Sequence, residues 1–420
     1  MGFGLTNMTK RFLLSSIVIV GVLALLLNSG AAALQQRSPA RWITAWAASQ
    51  NGLGTTAITN ATIRMIARVT ISGDAVRLRL DNTYGTSPLV IGKAYVGERI
   101  QGATLAAGSN RQVFFKRAPT VTIPAGASVE SDEVALKVLA QEDLAVSLFV
   151  PEANVRPSQH GGAQVTSYVT TNGSGDLASE ETAKPFAGTT TSMFWLKAID
   201  VSSSTSAGAI VAFGDSITDG TCSTADGHDR WEDLLAVRLA LDDNKRGAHK
   251  AIVNEGIGGN TITREGLQPP PDSTPGVERL DRDVLSHHGV THVILFMGTN
   301  DIRRDVAAAP VIAGMQDIIK RVKGRGLKIV GVTIIPRHNR PPADNNTGWD
   351  AAKTRTRNEV NQWMRTKKPF DALIDFDTVV RDPENPDLIY PPFNCGDGIH
   401  PSPRGYFEMG KAVPLDLFAR

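Results

Sequence analysis

The chain has 420 residues, of which 41% are hydrophobic and 20% charged, a balance typical of a globular protein with two or three domains. Its 44 lysine and arginine residues nearly balance its 42 aspartate and glutamate residues. No charge excess therefore points to nucleic acid or to an anionic membrane surface as a partner. Composition and charge leave the oligomeric state open.

The first 33 residues are typical of a signal peptide. Lys10 and Arg11 precede an apolar run over residues 12–27, and small residues follow up to Ala33. The run of about 16 residues is shorter than the roughly 20 that a permanent membrane helix needs. We therefore expect cleavage after Ala33 and a secreted or periplasmic protein without further membrane contact. An uncleaved membrane anchor is the alternative.

Residues 42–200 are predicted to form a β-sandwich domain. Short runs alternate apolar and polar residues, as where Val76, Leu78 and Leu80 alternate with two arginines, and turn-forming segments separate these runs. The predicted strands cover residues 63–71, 75–80, 89–91, 112–116, 120–123 and 144–150. Many short strands without amphipathic helices indicate a sandwich. A polar connector at residues 202–208 marks the predicted boundary with the next domain.

Residues 207–420 are predicted to form a second domain of alternating strands and helices. The predicted strands cover residues 209–213, 250–254, 292–297, 328–335 and 372–376, and the helices cover residues 231–241, 305–323, 351–367 and 403–418. This alternation indicates a parallel sheet flanked by helices. In such sheets the reactive groups lie in loops beyond the carboxyl ends of the strands.

The first of these strands ends in Gly214-Asp215-Ser216. A serine at the turn from a strand into a helix presents its hydroxyl at the edge of the sheet. The amides at the helix start can also stabilise negative charge. Taken alone, the tripeptide is equally compatible with a turn that carries a helix cap.

Two further segments follow the next two strands. Gly256, Gly258 and Gly259 allow close backbone approach and unusual dihedrals, so an amide there can point at a ligand. Asn300, in Gly298-Thr299-Asn300-Asp301, carries a carboxamide donor suited to stabilising an oxyanion. A flexible turn and a helix cap, respectively, are the alternative interpretations.

An acid and a histidine lie close together near the carboxyl end, as Asp397 and His400. A carboxylate three residues from an imidazole can bind one ring nitrogen and leave the other free to accept a serine proton. A histidine in a surface loop is the alternative.

In this order along the chain, these segments resemble the blocks of the SGNH hydrolases, also called GDSL lipases and acylhydrolases. The resemblance covers residues 209–420 and implies a three-layer, flavodoxin-like parallel sheet. It also implies a catalytic triad of Ser216, Asp397 and His400, and an oxyanion hole formed by the amides of Ser216 and Gly259 and the side chain of Asn300. The preceding half resembles a β-domain found in some exported members, which implies no residue roles.

The resemblance implies a serine esterase that forms an acyl-enzyme and needs neither a metal nor an organic cofactor. We expect a short-acyl ester as substrate, such as an acetyl ester of a carbohydrate or another small ester, because no long apolar segment resembling a lipase lid accompanies the blocks. Lipid acyl hydrolysis is the first alternative, and an inert carbohydrate-binding protein is the second. His287, His288 and His292 have a ligand-like spacing, but we expect them to lie at a helix end and a strand start.

The two cysteines are placed near the predicted catalytic loops. Cys222 lies six residues after Ser216, and Cys395 lies two residues before Asp397. An exported protein meets an oxidising environment, so we expect a Cys222–Cys395 disulfide bond. Two buried free thiols are the alternative.

Four aromatic residues of the first domain and one histidine have no assigned role. Trp42, Trp46, Tyr84 and Tyr95 could stack on sugars, although core packing or interdomain contact is the more common role of such residues. His160 lies in a loop setting from which it could approach the site.

Overall fold

The computed structural model describes Met1 and residues 40–242, 249–266, 273–337 and 349–419. Apart from Met1, the predicted signal peptide lies outside the described residues. Ala40–Arg420 forms one compact unit. Within the described ranges, none of the helices combines the length and apolar character needed to span a bilayer.

The first part of this unit is built from β-strands. Its strands are β1 Arg41–Ala47, β2 Gly52–Leu53, β3 Ala61–Val69, β4 Ala75–Asp81, β5 Leu89–Ile91, β6 Lys93–Gln101, β7 Thr104–Leu105, β8 Arg111–Val113, β9 Val121–Ile123, β10 Ser128–Glu130, β11 Glu142–Val150, β12 Ser158–His160, β13 Ser167–Val169, β14 Gly188–Thr190, β15 Met193–Phe194 and β16 Leu196–Ser203. One antiparallel sheet has the order β1-β16-β4-β10, and a larger one has the order β14-β13-β3-β11-β6-β7, with β8 also paired to β6. The smaller sheets are β15-β12-β2 and β5-β9.

The two larger sheets share one apolar core, as in a sandwich. Met65 of β3, Leu78 of β4 and Val146 of β11 are buried in the same cluster. Alternate residues of a strand point to one face, so the apolar alternation in the sequence forms this core. Two arginines lie on the opposite face of β4, where a half-buried strand would expose them to solvent. Arg79 is nevertheless buried, because it pairs with Asp200 at 3.1 Å.

The second part contains a five-stranded parallel sheet. Its strands are β17 Ala209–Gly214, β18 Ala251–Gly256, β19 Val290–Phe296, β20 Lys328–Val332 and β21 Ala372–Ile374, in the order β18-β17-β19-β20-β21. The α-helices are α1 Ser216–Asp219, α2 Trp231–Ala240, α3 Gly276–Leu280, α4 Thr299–Arg303, α5 Ala308–Gly324, α6 Ala351–Lys367, α7 Phe376–Val380 and α8 Pro403–Ala412. A π-helical turn, Asp281–Leu285, continues α3, and 3₁₀ turns cover Pro391–Phe393 and Leu415–Phe418.

The two faces of the parallel sheet bury different sets of residues. Ile210 of β17 packs in a cluster with residues of α2, α7 and α8. Val211 of the same strand packs in the other cluster, which holds residues of α5 and α6 together with the core of the β-rich region. Strand β1 also packs against β18. The parallel sheet and the β-rich region before it are as predicted, and the β-rich region covers part of one sheet face.

Several predicted boundaries differ from the structure by a few residues, among them the following two. Ser202 and Ser203, assigned to the polar connector, are the last residues of β16, where Ser202 pairs with Trp42 and Ala75. The predicted helix over residues 403–418 ends at Ala412. Pro414 explains this end, because proline cannot donate the helical hydrogen bond and disfavours helical dihedrals in the residue before it.

Candidate active site

The predicted site residues follow the carboxyl ends of neighbouring strands. Ser216 opens α1 just after β17, and Asn300 lies at the start of α4, just after β19. Gly259 follows β18, the other neighbour of β17. Asp397 and His400 lie in the loop before α8. Because carboxyl ends of parallel strands meet at one edge, the sheet brings the first three segments to the same edge.

The turn at the serine requires a glycine before it. A Cβ atom at Gly214 would lie 2.1 Å from Thr218 Oγ1 and 2.4 Å from its Cβ, so any other residue would collide with α1. Asp215 caps α1, since its Oδ1 accepts a hydrogen bond from the Ile217 amide at 3.0 Å. Burial raises the pKa of the Asp215 carboxyl to about 7.

The serine, histidine and aspartate side chains lie in hydrogen-bonding succession. His400 Nε2 lies 2.9 Å from Ser216 Oγ, and His400 Nδ1 lies 2.5 Å from Asp397 Oδ2. The other carboxylate oxygen of Asp397 accepts hydrogen bonds from the Ile399 and His400 amides, both at 2.8 Å. Asp397 therefore holds both the ring and the backbone of His400.

The surroundings of Asp397 favour an ionised carboxylate facing the His400 imidazole. Burial opposes the charged form of Asp397, but hydrogen bonds from the His400 side chain and backbone outweigh burial and lower its pKa to about 2. An ionised Asp397 accepts a hydrogen bond from the Nδ1 proton, so Nε2 can accept a proton from Ser216. Ser216 and His400 are each 9% exposed, which keeps this exchange largely away from bulk water.

The glycine and asparagine segments are joined to each other. Gly259 has a φ of +73°, a conformation that favours glycine, and among the described residues, its two chain neighbours aside, none has an atom within 4 Å of where its Cβ would be. Asn300 Nδ2 donates to the backbone oxygen of Asn260 at 3.1 Å. The buried Asp301 carboxylate accepts from the amides of Ile262 and Thr263, at 2.8 and 2.9 Å. These bonds hold the start of α4 against the loop after β18.

The structure contains the disulfide bond between Cys222 and Cys395. It joins the loop after α1 to the loop that carries Asp397 and His400, across 173 residues of sequence. Both cysteines of the chain are thereby paired. The covalent link connects the two segments that carry the serine and its partner histidine.

A buried arginine connects several of these segments and was not identified from the sequence. Arg279 of α3 is 1% exposed and donates to the backbone oxygens of Gly214 and Glu255, at 2.9 and 3.0 Å. It also donates to Asn260 Oδ1 at 2.9 Å. No spacing or motif in the sequence marks this arginine, because its partners lie in three other segments.

The predicted positions of the histidine trio agree with the structure, but two of the three are buried. His287 and His288 follow the helical segment 276–285, and His292 lies in β19. His287 Nε2 contacts Glu255 at 2.5 Å and His287 Nδ1 contacts Arg79 at 2.7 Å, so both ring nitrogens have protein partners. This pairing explains the burial of His287, and His292 is buried as well.

Among the described residues, one cluster outside the disulfide loop could offer three ligand atoms to a metal. Glu130, Asp200 and His288 bring these atoms within 4.8 Å of one another. Arg77 pairs with Glu130 at 2.7 Å, and Arg79 pairs with Asp200. The two guanidinium groups balance the carboxylates, so the cluster is better described as an ion-pair network.

The side chains of three of the four aromatic residues make the following contacts. The Trp42 ring lies 4.1 Å from the Arg77 guanidinium. Trp46 packs against the shared core, and Tyr84 Oη lies 3.3 Å from Thr274 Oγ1.

His160 contacts Asp219 in α1, at 3.0 Å. The expected loop setting of His160 is wrong, because His160 is the last residue of strand β12, and no pattern in the sequence identified Asp219 as its partner.

Comparison with known proteins identifies the family of the second half. Residues 212–406, just under half of the chain, match the model of the GDSL-like Lipase/Acylhydrolase family. No curated protein matches the chain.

Several solved bacterial structures each resemble about half of this chain. A carbohydrate acetylesterase from Sinorhizobium meliloti is 22% identical over 49% of this chain and 95% of its own, with a TM-score of 0.38. An aryl esterase from M. smegmatis is 21% identical over 49% and 95%, with a TM-score of 0.36. A GDSL-like lipase from Bacteroides thetaiotaomicron is 17% identical over 49% and 84%, with a TM-score of 0.34. By this family match, residues 212–406 form a domain of the GDSL-like Lipase/Acylhydrolase family.

Proposed function

We propose that the protein hydrolyses carboxylic esters through an acyl-enzyme on Ser216. The observation that supports this most directly is the succession of Ser216 Oγ, the His400 imidazole and the Asp397 carboxylate, at 2.9 and 2.5 Å. A nucleophile within hydrogen-bond reach of a base, which is oriented by a third group, is the arrangement that nucleophilic catalysis requires.

In the first half of the reaction His400 acts as a general base. Nε2 takes the Ser216 proton while Oγ attacks the ester carbonyl carbon. Asp397 stabilises the imidazolium that forms and keeps a proton on Nδ1. The same imidazolium then protonates the departing alcohol, which leaves an acyl-serine. Water, deprotonated by His400, releases the acid and restores the hydroxyl.

Negative charge develops on the carbonyl oxygen during both halves of the reaction. We assign its stabilisation to the amides of Ser216 and Gly259 and to the Asn300 side chain. The bond from Asn300 to the Asn260 backbone holds the carboxamide in place before substrate arrives. Preorganised donors of this kind need little reorganisation as the charge forms, and losing one typically costs about 10²–10³ in turnover.

We propose a short acyl group, such as acetyl on a carbohydrate or another small ester, as the substrate. Among the residues that adjoin the site residues in the blocks, Asp215, Gly258, Asn260 and Thr299 are polar or glycine, whereas Ile217 and Ile399 are apolar. The polar members of this set support a small, hydrogen-bonding ester. We also propose that the protein works outside the cytoplasm, and the Cys222–Cys395 disulfide supports this location.

The variant Ser216→Ala tests the nucleophile. We expect it to abolish hydrolysis of p-nitrophenyl acetate, because it removes the hydroxyl that lies next to His400 Nε2. The thermal unfolding midpoint should change little, since only one oxygen atom is removed. Hydrolysis at the wild-type rate by Ser216→Ala would remove this serine from the mechanism.

A substrate panel separates the proposed activity from the two alternatives. Turnover of acetyl esters and acetylated glycans should exceed turnover of long-chain esters, and the opposite order would favour a lipid acyl hydrolase. A serine-reactive phosphonate should label Ser216. Failure to label would favour an inert, carbohydrate-binding protein.

A further inference from the structure

The β-rich region contributes a buried histidine to the segment that begins with Ser216. His160, the last residue of β12, is 4% exposed. Its Nε2 atom lies 3.0 Å from Asp219 Oδ1, and its Nδ1 atom lies 2.7 Å from the backbone oxygen of Ser49. Asp219 is the last residue of α1, the helix that begins with Ser216. A residue from outside the matched residues 212–406 therefore contacts this helix.

Asp219 also contacts the loop that carries Gly258 and Gly259. Its second carboxylate oxygen, Oδ2, accepts a hydrogen bond from the Gly258 amide at 2.8 Å. The next residue is Gly259, whose amide we assign to the oxyanion hole. Because residue 258 is held at its nitrogen, the orientation of the following peptide group, which carries the Gly259 N–H, depends on Asp219.

Both ring nitrogens of His160 face acceptors. A backbone oxygen can only accept, so Nδ1 donates to Ser49, and Nε2 donates to the Asp219 carboxylate. Burial lowers the pKa of His160, but the charge and hydrogen bond of Asp219 and the Ser49 carbonyl together raise it above the usual histidine value. Acceptors at both ring nitrogens favour the doubly protonated ring, a charge-assisted donor that holds Asp219 more firmly than a neutral group would.

We propose that His160 is a positioning residue for the oxyanion hole, acting through Asp219 on the Gly258–Gly259 segment. This inference rests on the proposed esterase function. His160 contacts Asp219 and Ser49 and acts on the reacting atoms only through them, by keeping the Gly259 amide aligned. Loss of the residue should therefore reduce kcat and leave KM nearly unchanged, because alignment of an oxyanion donor matters most in the transition state.

Three variants separate the two hydrogen bonds of His160. In His160→Gln the side-chain amide can reach the position of Nε2 and donate to Asp219. In His160→Asn it can reach only the position of Nδ1 and donate to Ser49, and His160→Ala keeps neither bond. We expect kcat for p-nitrophenyl acetate to fall about 10- to 100-fold in the Asn and Ala variants. The Gln variant should stay within a few-fold of wild type.

His228→Asn serves as a matched control. His228 is also largely buried, but its ion-pair contact is Asp143, at 3.8 Å, and the variant should keep the wild-type kcat. Rates are normalised to the fraction of protein labelled by a serine-reactive phosphonate, so a partly unfolded variant is not counted as slow. Equal losses in the Gln and Asn variants, a loss confined to KM, or a wild-type kcat in His160→Asn would each overturn the proposal.

Nuclear magnetic resonance supplies a readout that does not depend on activity. Both ring nitrogens of His160 should carry a proton at neutral pH, and hydrogen exchange of the Gly258 amide should be faster in His160→Asn than in wild type. If the wild-type protein hydrolyses no ester while these spectra behave as expected, the proposed function fails and the structural link remains. If esters are hydrolysed but Gly258 exchange is unchanged in His160→Asn, the positioning role is wrong.

Discussion

At the scale of single residues, the site depends on carboxyl groups whose surroundings move their pKa values in opposite directions. Asp397 is kept ionised by hydrogen bonds from His400, with a pKa of about 2. Asp215, which directly precedes the serine, has its pKa raised to about 7 by burial. The first is suited to orienting an imidazole, and the second acts as a helix cap whose charge is costly.

The raised pKa of Asp215 predicts a pH-dependent effect of Asp215→Asn. Between the unfolded pKa of about 3.9 and the folded value of about 7, folded Asp215 holds a proton that the unfolded chain releases, so its contribution to stability falls as pH rises through this window. The asparagine side chain of the variant can still accept from the Ile217 amide but never ionises. We expect the variant to be more stable than wild type at pH 8, by on the order of 1–4 kcal/mol.

Denaturant unfolding of wild type and Asp215→Asn at pH 4 and pH 8 measures this difference. Near pH 4 the two proteins should be nearly equal in stability, because both carry a neutral side chain in the folded state. A variant that gains nothing between pH 4 and pH 8 would show that Asp215 is ionised in the folded protein. Arg279 and Arg337 are the nearby charges that would favour that ionised form.

At the scale of elements, the close packing of α1 on β18 leaves no space for a side chain at Gly256. A Cβ atom there would lie 2.2 Å from the Asp219 backbone nitrogen and 2.7 Å from its Cα. These are backbone atoms, so the helix that starts with Ser216 would have to move. We expect Gly256→Ala to lower stability by about 1–3 kcal/mol and to reduce ester hydrolysis at least about tenfold.

Gly258→Ala is the control for this prediction. Its added Cβ would lie 3.6 Å from Asp219 Oδ2, an ordinary contact, and alanine keeps the amide that donates to Asp219. The unfolding midpoint and kcat of Gly258→Ala should therefore stay close to the wild-type values, whereas both should fall in Gly256→Ala. Equal effects in both would mean that α1 adjusts to a Cβ at position 256.

At the scale of the whole molecule, the two predicted domains share an apolar core. Val211 and Phe213 of β17 and Val253 of β18 lie in the same cluster as Ile43 and residues of the β-rich region. Buried arginines also cross between the two parts, as where Arg79 donates to the backbone oxygen of Ser286 at 3.1 Å. Separating the parts would expose this sheet face to water.

A fragment of residues 207–420 tests whether the hydrolase part is an independent domain. We expect the fragment to aggregate or to lose cooperative unfolding, because the exposed face of β17 and β18 would form a large apolar patch. Near-ultraviolet circular dichroism and thermal unfolding of the fragment and of residues 40–420 provide the comparison. A soluble fragment that unfolds cooperatively would support the boundary predicted at residue 207.

Sequence alone was sufficient for features that depend on local order along the chain. The apolar runs predicted the parallel strands, and the parallel arrangement implied that segments such as Ser216 and Asn300 would meet at one edge, since each directly follows a strand. The cysteine pair was predictable for the same reason, as both residues lie close in sequence to these segments. The catalytic roles of Ser216, Asp397 and His400 stay predictions until the variants are measured.

Other features were decided only by the tertiary structure, because they depend on partners far apart in sequence. The pairing of His160 with Asp219 joins residues 59 positions apart, and Arg279 reaches Gly214 across 65 positions. Neither arrangement produces a periodicity or a motif, since a buried ion pair or hydrogen bond is specified by where two elements pack and not by local propensity. The contribution of the β-rich region to the site could therefore be identified only once the chain was folded.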